Sequence, residues 1–118
     1  PFASIPVAVP AFKMIADKYN VFIPCYGHAG DGNIHATVVK KNEMAMEEWE
    51  KNLDEILKEI YQVTIDLGGS ISGEHGIGNK RKKYLSMGLS QEEILLMKRI
   101  KAAFDPKEIL NPGKIFPD

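Results

Sequence analysis

The segment Val21 to Val39, VFIPCYGHAGDGNIHATVV, decides how the chain is read, because two short runs rich in β-branched and aromatic residues flank a glycine-rich turn. VFIPCYGH and IHATVV predict two strands, and Gly30-Asp31-Gly32-Asn33 between them predicts the tight turn of a β-hairpin. Pro24 has no N–H to give to a ladder, so it predicts an edge position or an irregular strand. Two of the three histidines, His28 and His35, stand on either side of the turn. The third, His75, sits in a second glycine-rich stretch, GGSISGEHGIG.

Helical periodicity surrounds the hairpin. Phe12, Ile15, Ala16 and Tyr19 recur at helical spacing and predict a short helix from Val9 to Tyr19, stopped at Asn20, with the prolines before it or in its first turn. From Glu43 to Leu67 the residues Met46, Trp49, Leu53, Ile56, Leu57, Ile60, Thr64 and Leu67 keep to one face, which predicts a long amphipathic helix ended by Gly68-Gly69. Ser90 and Glu93 form a capping-box pattern, with Leu89 and Ile94 placed as a hydrophobic staple, so a third helix starts at Ser90. It runs through Leu95, Met97, Ile100 and Phe104 until Asp105-Pro106. The tail KEILNPGKIFPD is too rich in proline for regular structure. The fold class is therefore α+β, a small antiparallel sheet with packed helices. Two strands are few for a stable sheet, so further strands are expected from elsewhere in a parent chain or from a partner.

Bulk properties narrow the function. At 118 residues the chain is the length of one modest domain. Its net charge of -1 lacks the basic excess of a nucleic-acid binder. The single cysteine, Cys25, forms no internal disulfide, so a reduced cytoplasmic setting is the default. The N-terminus, PFASIPVAVPAF, lacks a basic region ahead of an apolar one, and no apolar run reaches about 18 residues, so neither a signal peptide nor a transmembrane segment is expected. A first residue of proline suits a fragment of something longer.

The candidate chemistry lies in the histidine segments. Residues flanking a hairpin loop approach each other, and a neutral imidazole is a common ligand for zinc, iron or manganese. Two imidazoles alone bind weakly, and Glu74 is the best-placed third ligand. Two histidines and one carboxylate leave coordination positions open, as catalytic sites require. The competing reading is two ordinary turns whose histidines are surface residues. His75 is a candidate general base or an exposed turn residue. GEHGIG lacks the spacing of a dinucleotide fingerprint, and GNKRKK lacks the ending of a phosphate loop. Lys80 to Lys83 read as a solvated face, from which Arg81 can reach an anionic ligand. Cys25 and the methionines read as packing residues.

Three blocks, YGHAGDGNIHATVV, GGSISGEHGIGNKRKKYL and AAFDPKEILNPGKIFPD, together resemble the C-terminal part of the FAD-linked oxidases, which include the glycolate oxidase flavin subunit, D-lactate dehydrogenase and D-2-hydroxyglutarate dehydrogenase and are of the vanillyl-alcohol-oxidase type. The blocks occur in the right order and cover essentially the whole chain. The resemblance implies that residues 1–118 are the C-terminal portion of the family's substrate or cap domain, with the flavin-binding domain absent and supplied by the parent. It implies that His28, His35 and Glu74 hold a divalent metal, Zn or Mn. It implies His75 as the base that takes the substrate hydroxyl proton, Asn111 as the residue where the tail returns to FAD, and Asn33 and Arg81 as substrate-binding. Arg81 stands where relatives usually carry lysine. The implied substrate is a small 2-hydroxy acid, and electron-transfer subunits are implied partners, through which a cytoplasmic protein associates peripherally with a membrane. Alone, the chain is expected to be inactive. The alternatives are a small metal-dependent hydrolase, which would act without flavin, and a noncatalytic interaction domain.

Overall fold

In a computed structural model that describes residues 1–117, four α-helices and a two-stranded antiparallel sheet form among the described residues. This is the α+β class expected from the sequence. The chain divides into two units, Pro1–Gly69 and Ser70–Asp118, at the glycine pair read as a helix stop.

The first unit opens with a 3-10 turn, Phe2–Ser4, that runs directly into α1, Ile5–Lys18. The helix starts four residues before the expected Val9. Pro6 lies in its first turn, where no N–H has a helical partner anyway, so the proline costs nothing there. Pro10 lies inside the helix and forfeits the bond to the carbonyl of Pro6. Asn20 stops α1 as expected: it adopts φ 53°, its N–H reaches the Asp17 carbonyl at 3.3 Å, and Val21 N–H reaches Ala16 at 3.0 Å.

The hairpin pairs β1, Cys25–His28, with β2, Asn33–Ala36, so that Cys25 faces Ala36, Tyr26 faces His35, Gly27 faces Ile34 and His28 faces Asn33. The same register continues outward to Phe22 and Val39, which exchange hydrogen bonds of 2.9 and 2.8 Å. Between them Pro24 accepts from Thr37 N–H at 3.2 Å and has no donor to return, which is why the ladder is irregular there. The turn falls one residue earlier than expected. Ala29–Asp31 make a 3-10 turn closed by Gly32 at φ 74°, and Asn33 belongs to β2.

α2 spans Met46–Asp66 and starts three residues after Glu43, because Lys41 to Met44 form a turn of their own in which Lys40 Nζ caps the carbonyls of Lys41 and Met44 at 2.9 and 2.7 Å. Met46, expected on the buried face, heads the first turn and is exposed. Of the rest of the stripe, Ile56 and Ile60 are buried and Trp49 lies against the same core, while Leu53, Leu57, Thr64 and Leu67 are half-buried; Tyr61 and Val63, not expected on that face, also pack on the core. Gly68, at φ 74°, ends the helix, with its N–H on Ile65 at 2.8 Å and that of Gly69 on Thr64 at 2.8 Å.

That core joins Phe12, Ile15 and Ala16 of α1 to Ile56 and Ile60 of α2, with Val21 and Met44. Strand alternation decides which side of the hairpin joins it. Val21, Ile23, Cys25, Ala36 and Val38 pack inward, while Phe22, Tyr26, His28 and Val39 are exposed.

The second unit buries Ile71, Tyr84 and Leu85. A 3-10 turn, Lys82–Tyr84, leads into α3, Leu85–Gly88, an element too short to leave a periodic signal in the sequence. α4, Gln91–Phe104, begins at the expected capping box: Ser90 Oγ accepts from Glu93 N–H at 3.2 Å, and Glu93 Oε2 accepts from Ser90 N–H at 2.7 Å. It ends at Asp105-Pro106, and the tail to residue 117 contains only turns and bends, both as expected.

Candidate functional site

In the first unit, the outward hairpin face carries the candidate residues. His28 and Asn33 face each other across the strands, and so do Tyr26 and His35, so all four side chains leave the sheet on one side. The His28 and His35 rings stand 6.5 Å apart at 71°, with ligating nitrogens within 4.8 Å. Rings that bind one zinc ion have centroids roughly 3 Å from it and therefore roughly 5–6 Å from each other. The pair fits a shared cation after a small rotation of the exposed His28 ring. Tyr26 stacks on His35, with ring centroids 5.2 Å apart at 22°, and limits its rotation.

Gly27 makes this face possible. Its φ is 143°, and a Cβ there would lie 2.5 Å from the Asn33 carbonyl oxygen and 3.2 Å from the His35 ring. Only glycine lets the two strands close at the position that brings His28, Asn33 and His35 together.

In the second unit, Glu74 and His75 occupy the tip of a turn in which Gly76 N–H bonds the Gly73 carbonyl at 3.1 Å. Gly76 and Gly78, just after these two residues, have φ of 67° and 56°, left-handed conformations that glycine adopts without strain. His75 Nε2 lies 3.5 Å from Glu74 Oε1, with 67% and 47% of the side chains exposed. Arg81 folds back on this loop, and its Nη1 donates to the Gly76 carbonyl at 3.4 Å. It does not simply join a solvated face.

The tail is tied to the same loop. Ile115 N–H donates to the Gly78 carbonyl at 2.7 Å, and Lys82 Nζ reaches the Gly113 carbonyl at 3.5 Å. Asn111 is exposed, with φ 48°, a conformation asparagine tolerates better than most residues. Upstream of it Asp105 is 3% exposed and bonds Lys101 Nζ, Ile109 N–H at 3.0 Å and Leu110 N–H at 2.9 Å. The Lys101 bond first, and the two backbone donors after it, hold the Asp105 carboxyl below the usual aspartate range.

Within the first unit the structure thus groups His28, His35 and Asn33, and within the second it groups Glu74, His75 and Arg81 in a loop bonded to the tail that carries Asn111. Tyr26 and Asp105 were not anticipated. The alternation of the strand was the available signal for Tyr26. Asp-Pro after a helix reads only as a stop, and nothing in the sequence reports where that carboxylate turns. Cys25 faces the core as a packing residue, and burial pushes its thiol up, away from a reactive thiolate.

Residues 1–115 match the family model described as FAD linked oxidases, C-terminal domain. The glycolate oxidase subunit GlcD of Bacillus subtilis is 46% identical over 98% of this chain and 24% of its own length. The D-lactate dehydrogenase of Archaeoglobus fulgidus is 45% identical over 86% of the chain and 21% of its own length. The D-2-hydroxyglutarate dehydrogenase of Stutzerimonas stutzeri is 40% identical over 92% of the chain and 25% of its own length. The chain spans about a quarter of the length of these curated relatives.

Proposed function

Because the chain belongs to the FAD linked oxidases, as a C-terminal domain of that family, we propose that it supplies the substrate and metal side of an active site that oxidises a small 2-hydroxy acid, working with a flavin-binding domain. The observation that carries the proposal is the hairpin face on which His28 and His35 converge beside Asn33. The names of its relatives, which pair glycolate, D-lactate and D-2-hydroxyglutarate with oxidation, support the substrate class.

In this reading His28, His35 and Glu74 hold a divalent cation, Zn or Mn. Imidazole and carboxylate donors suit either metal, and three protein ligands leave positions for a hydroxyl and a carboxylate oxygen. Such a cation would supply Lewis acidity toward the substrate hydroxyl, and FAD would supply the hydride acceptor. His75, exposed at its turn tip, accepts the hydroxyl proton on a ring nitrogen. Arg81, whose guanidinium keeps donors beyond the one on Gly76, binds the substrate carboxylate. The Asn33 carboxamide orients the substrate, and Asn111 meets the flavin. The chain by itself retains no FAD and turns over no hydroxy acid. We place the protein in the cytoplasm, with electron-transfer subunits as partners that bring it to a membrane. No helix among the described residues is long and apolar enough to cross one.

Calorimetric titration with Mn²⁺ or Zn²⁺ tests the metal reading. The chain takes up one ion, and His28→Ala or His35→Ala lowers the affinity by about 100-fold or more, since each removes a direct ligand. Both positions lie outside the core, so thermal unfolding of the variants stays close to that of the parent chain. Undiminished binding by the double variant would exclude this site.

A further inference from the structure

Asp105 is the one charged residue buried among the described residues, and its contacts converge on the two residues just before Asn111. Oδ2 accepts from Leu110 N–H at 2.9 Å and Oδ1 from Ile109 N–H at 3.0 Å. Lys101, one helical turn earlier on α4, bonds Asp105 and also donates to the Leu110 carbonyl at 2.8 Å. Both polar groups of Leu110 are therefore held by the end of α4. The backbone of Asp105 adds a turn, with Glu108 N–H on its carbonyl at 3.1 Å and Glu108 at φ 52°.

Such a hub is more than a helix stop needs. Ending α4 requires only Pro106 and a capping bond, and Asp105 N–H already bonds the Lys101 carbonyl at 2.8 Å. Lys101 holds the carbonyl of the peptide entering Asn111 and the Asp105 carboxylate holds the N–H groups of the two peptides before it, while Pro112 limits the backbone on the other side. Asn111 is thereby held at φ 48° and is exposed.

We propose that Asp105, with Lys101, is a positioning residue that sets the orientation of the Asn111 carboxamide toward the flavin. The proposal rests on the reading of Asn111 as a flavin contact. Its chemistry is that of a buried carboxylate paired with a half-buried lysine, in which charge-assisted bonds to two backbone donors are worth more than neutral ones and are costly to leave unmade. The carboxylate therefore holds the tail in one conformation, where a neutral side chain would let it sample several.

The test uses the flavin-loaded holoenzyme and reads the visible absorption spectrum of the bound flavin together with hydrogen exchange at Ile109 and Leu110. Asn111→Gly keeps the left-handed backbone and removes the carboxamide, so it is expected to change the flavin spectrum. Asp105→Asn is expected to reproduce that change and to speed exchange of the two amides about tenfold or more. The double variant is expected to add nothing further to the spectrum. Lys101→Met, which releases only the Leu110 carbonyl and the charge partner, is expected to give the same spectral change at smaller amplitude and serves if Asp105→Asn does not fold. A changed spectrum in Asn111→Gly beside an unchanged one in Asp105→Asn, or in Lys101→Met where Asp105→Asn does not fold, overturns the positioning role. An unchanged spectrum in Asn111→Gly overturns instead the reading of Asn111 as a flavin contact.

Discussion

Gly27 concentrates the local demands of the hairpin in one position. It combines φ 143° with a space that a Cβ would fill to 2.5 Å from a backbone oxygen, and that oxygen cannot move without opening the strand pair. Gly27→Ala is therefore expected to destabilise the chain by about 2 kcal/mol or more, measured by urea unfolding, from strain and from loss of the Asn33 pairing. Among the fully exposed glycines Gly76 and Gly78 the reason is different, since nothing lies within 4 Å of an added Cβ and only φ calls for glycine. The sequence identified the glycine-rich turns but not this division of labour. A letter G carries no sign of whether its neighbour is solvent or a carbonyl across a strand.

At the scale of elements, the packing of α1 on α2 is supplemented by a polar link at its rim. Glu59 of α2 accepts from Lys18 at 2.5 Å and from Tyr19 at 2.6 Å, and the Lys18 bond, followed by the Tyr19 bond, lowers the Glu59 carboxyl from its usual range. A carboxyl whose folded value lies below its unfolded one stabilises the fold above the unfolded value and loses that contribution as pH falls through the folded one. Glu59→Gln should therefore cost no more than about 1 kcal/mol at neutral pH, because the pair is largely solvated. Urea unfolding at a series of pH values should show the difference from the parent chain shrinking as pH falls below the ordinary glutamate value of about 4.3. A penalty that persists unchanged at low pH would assign the contribution to packing instead. The elements themselves were largely legible. The capping box at Ser90, the stop at Asn20 and the stripe on α2 are local signals, written in residues a few positions apart. The starts of α1 and α2 were not legible, because a proline tolerated at a helix start and a loop tied by Lys40 look the same in sequence as a break and a continuation. α3 is too short to have a period.

Across the whole molecule, each unit presents its expected site residues outside its own core. The hairpin turns Val21, Ile23, Cys25, Ala36 and Val38 into the core and leaves Tyr26, His28, Asn33 and His35 outside, and the second unit presents Glu74 and His75 at an exposed turn bonded to the LNPGK tail. Each residue expected to bind metal, substrate or flavin was legible as a type in a motif. The grouping of His28, His35 and Asn33 follows from a hairpin register that sequence alone set one residue off at the turn. Asp105 escaped because its role depends on bonds to backbone groups four and five residues on. The proposed role of the histidine face is flavin reduction by a 2-hydroxy acid. It is tested most directly by mixing the flavin-loaded holoenzyme with glycolate, D-lactate or D-2-hydroxyglutarate under anaerobic conditions and following the visible absorbance of the flavin. One of these acids is expected to bleach the flavin, and His28→Ala with His35→Ala, or prior removal of divalent metal by a chelator, is expected to slow the bleaching by about 100-fold or more. Bleaching at the same rate in the double variant and after chelation would contradict it.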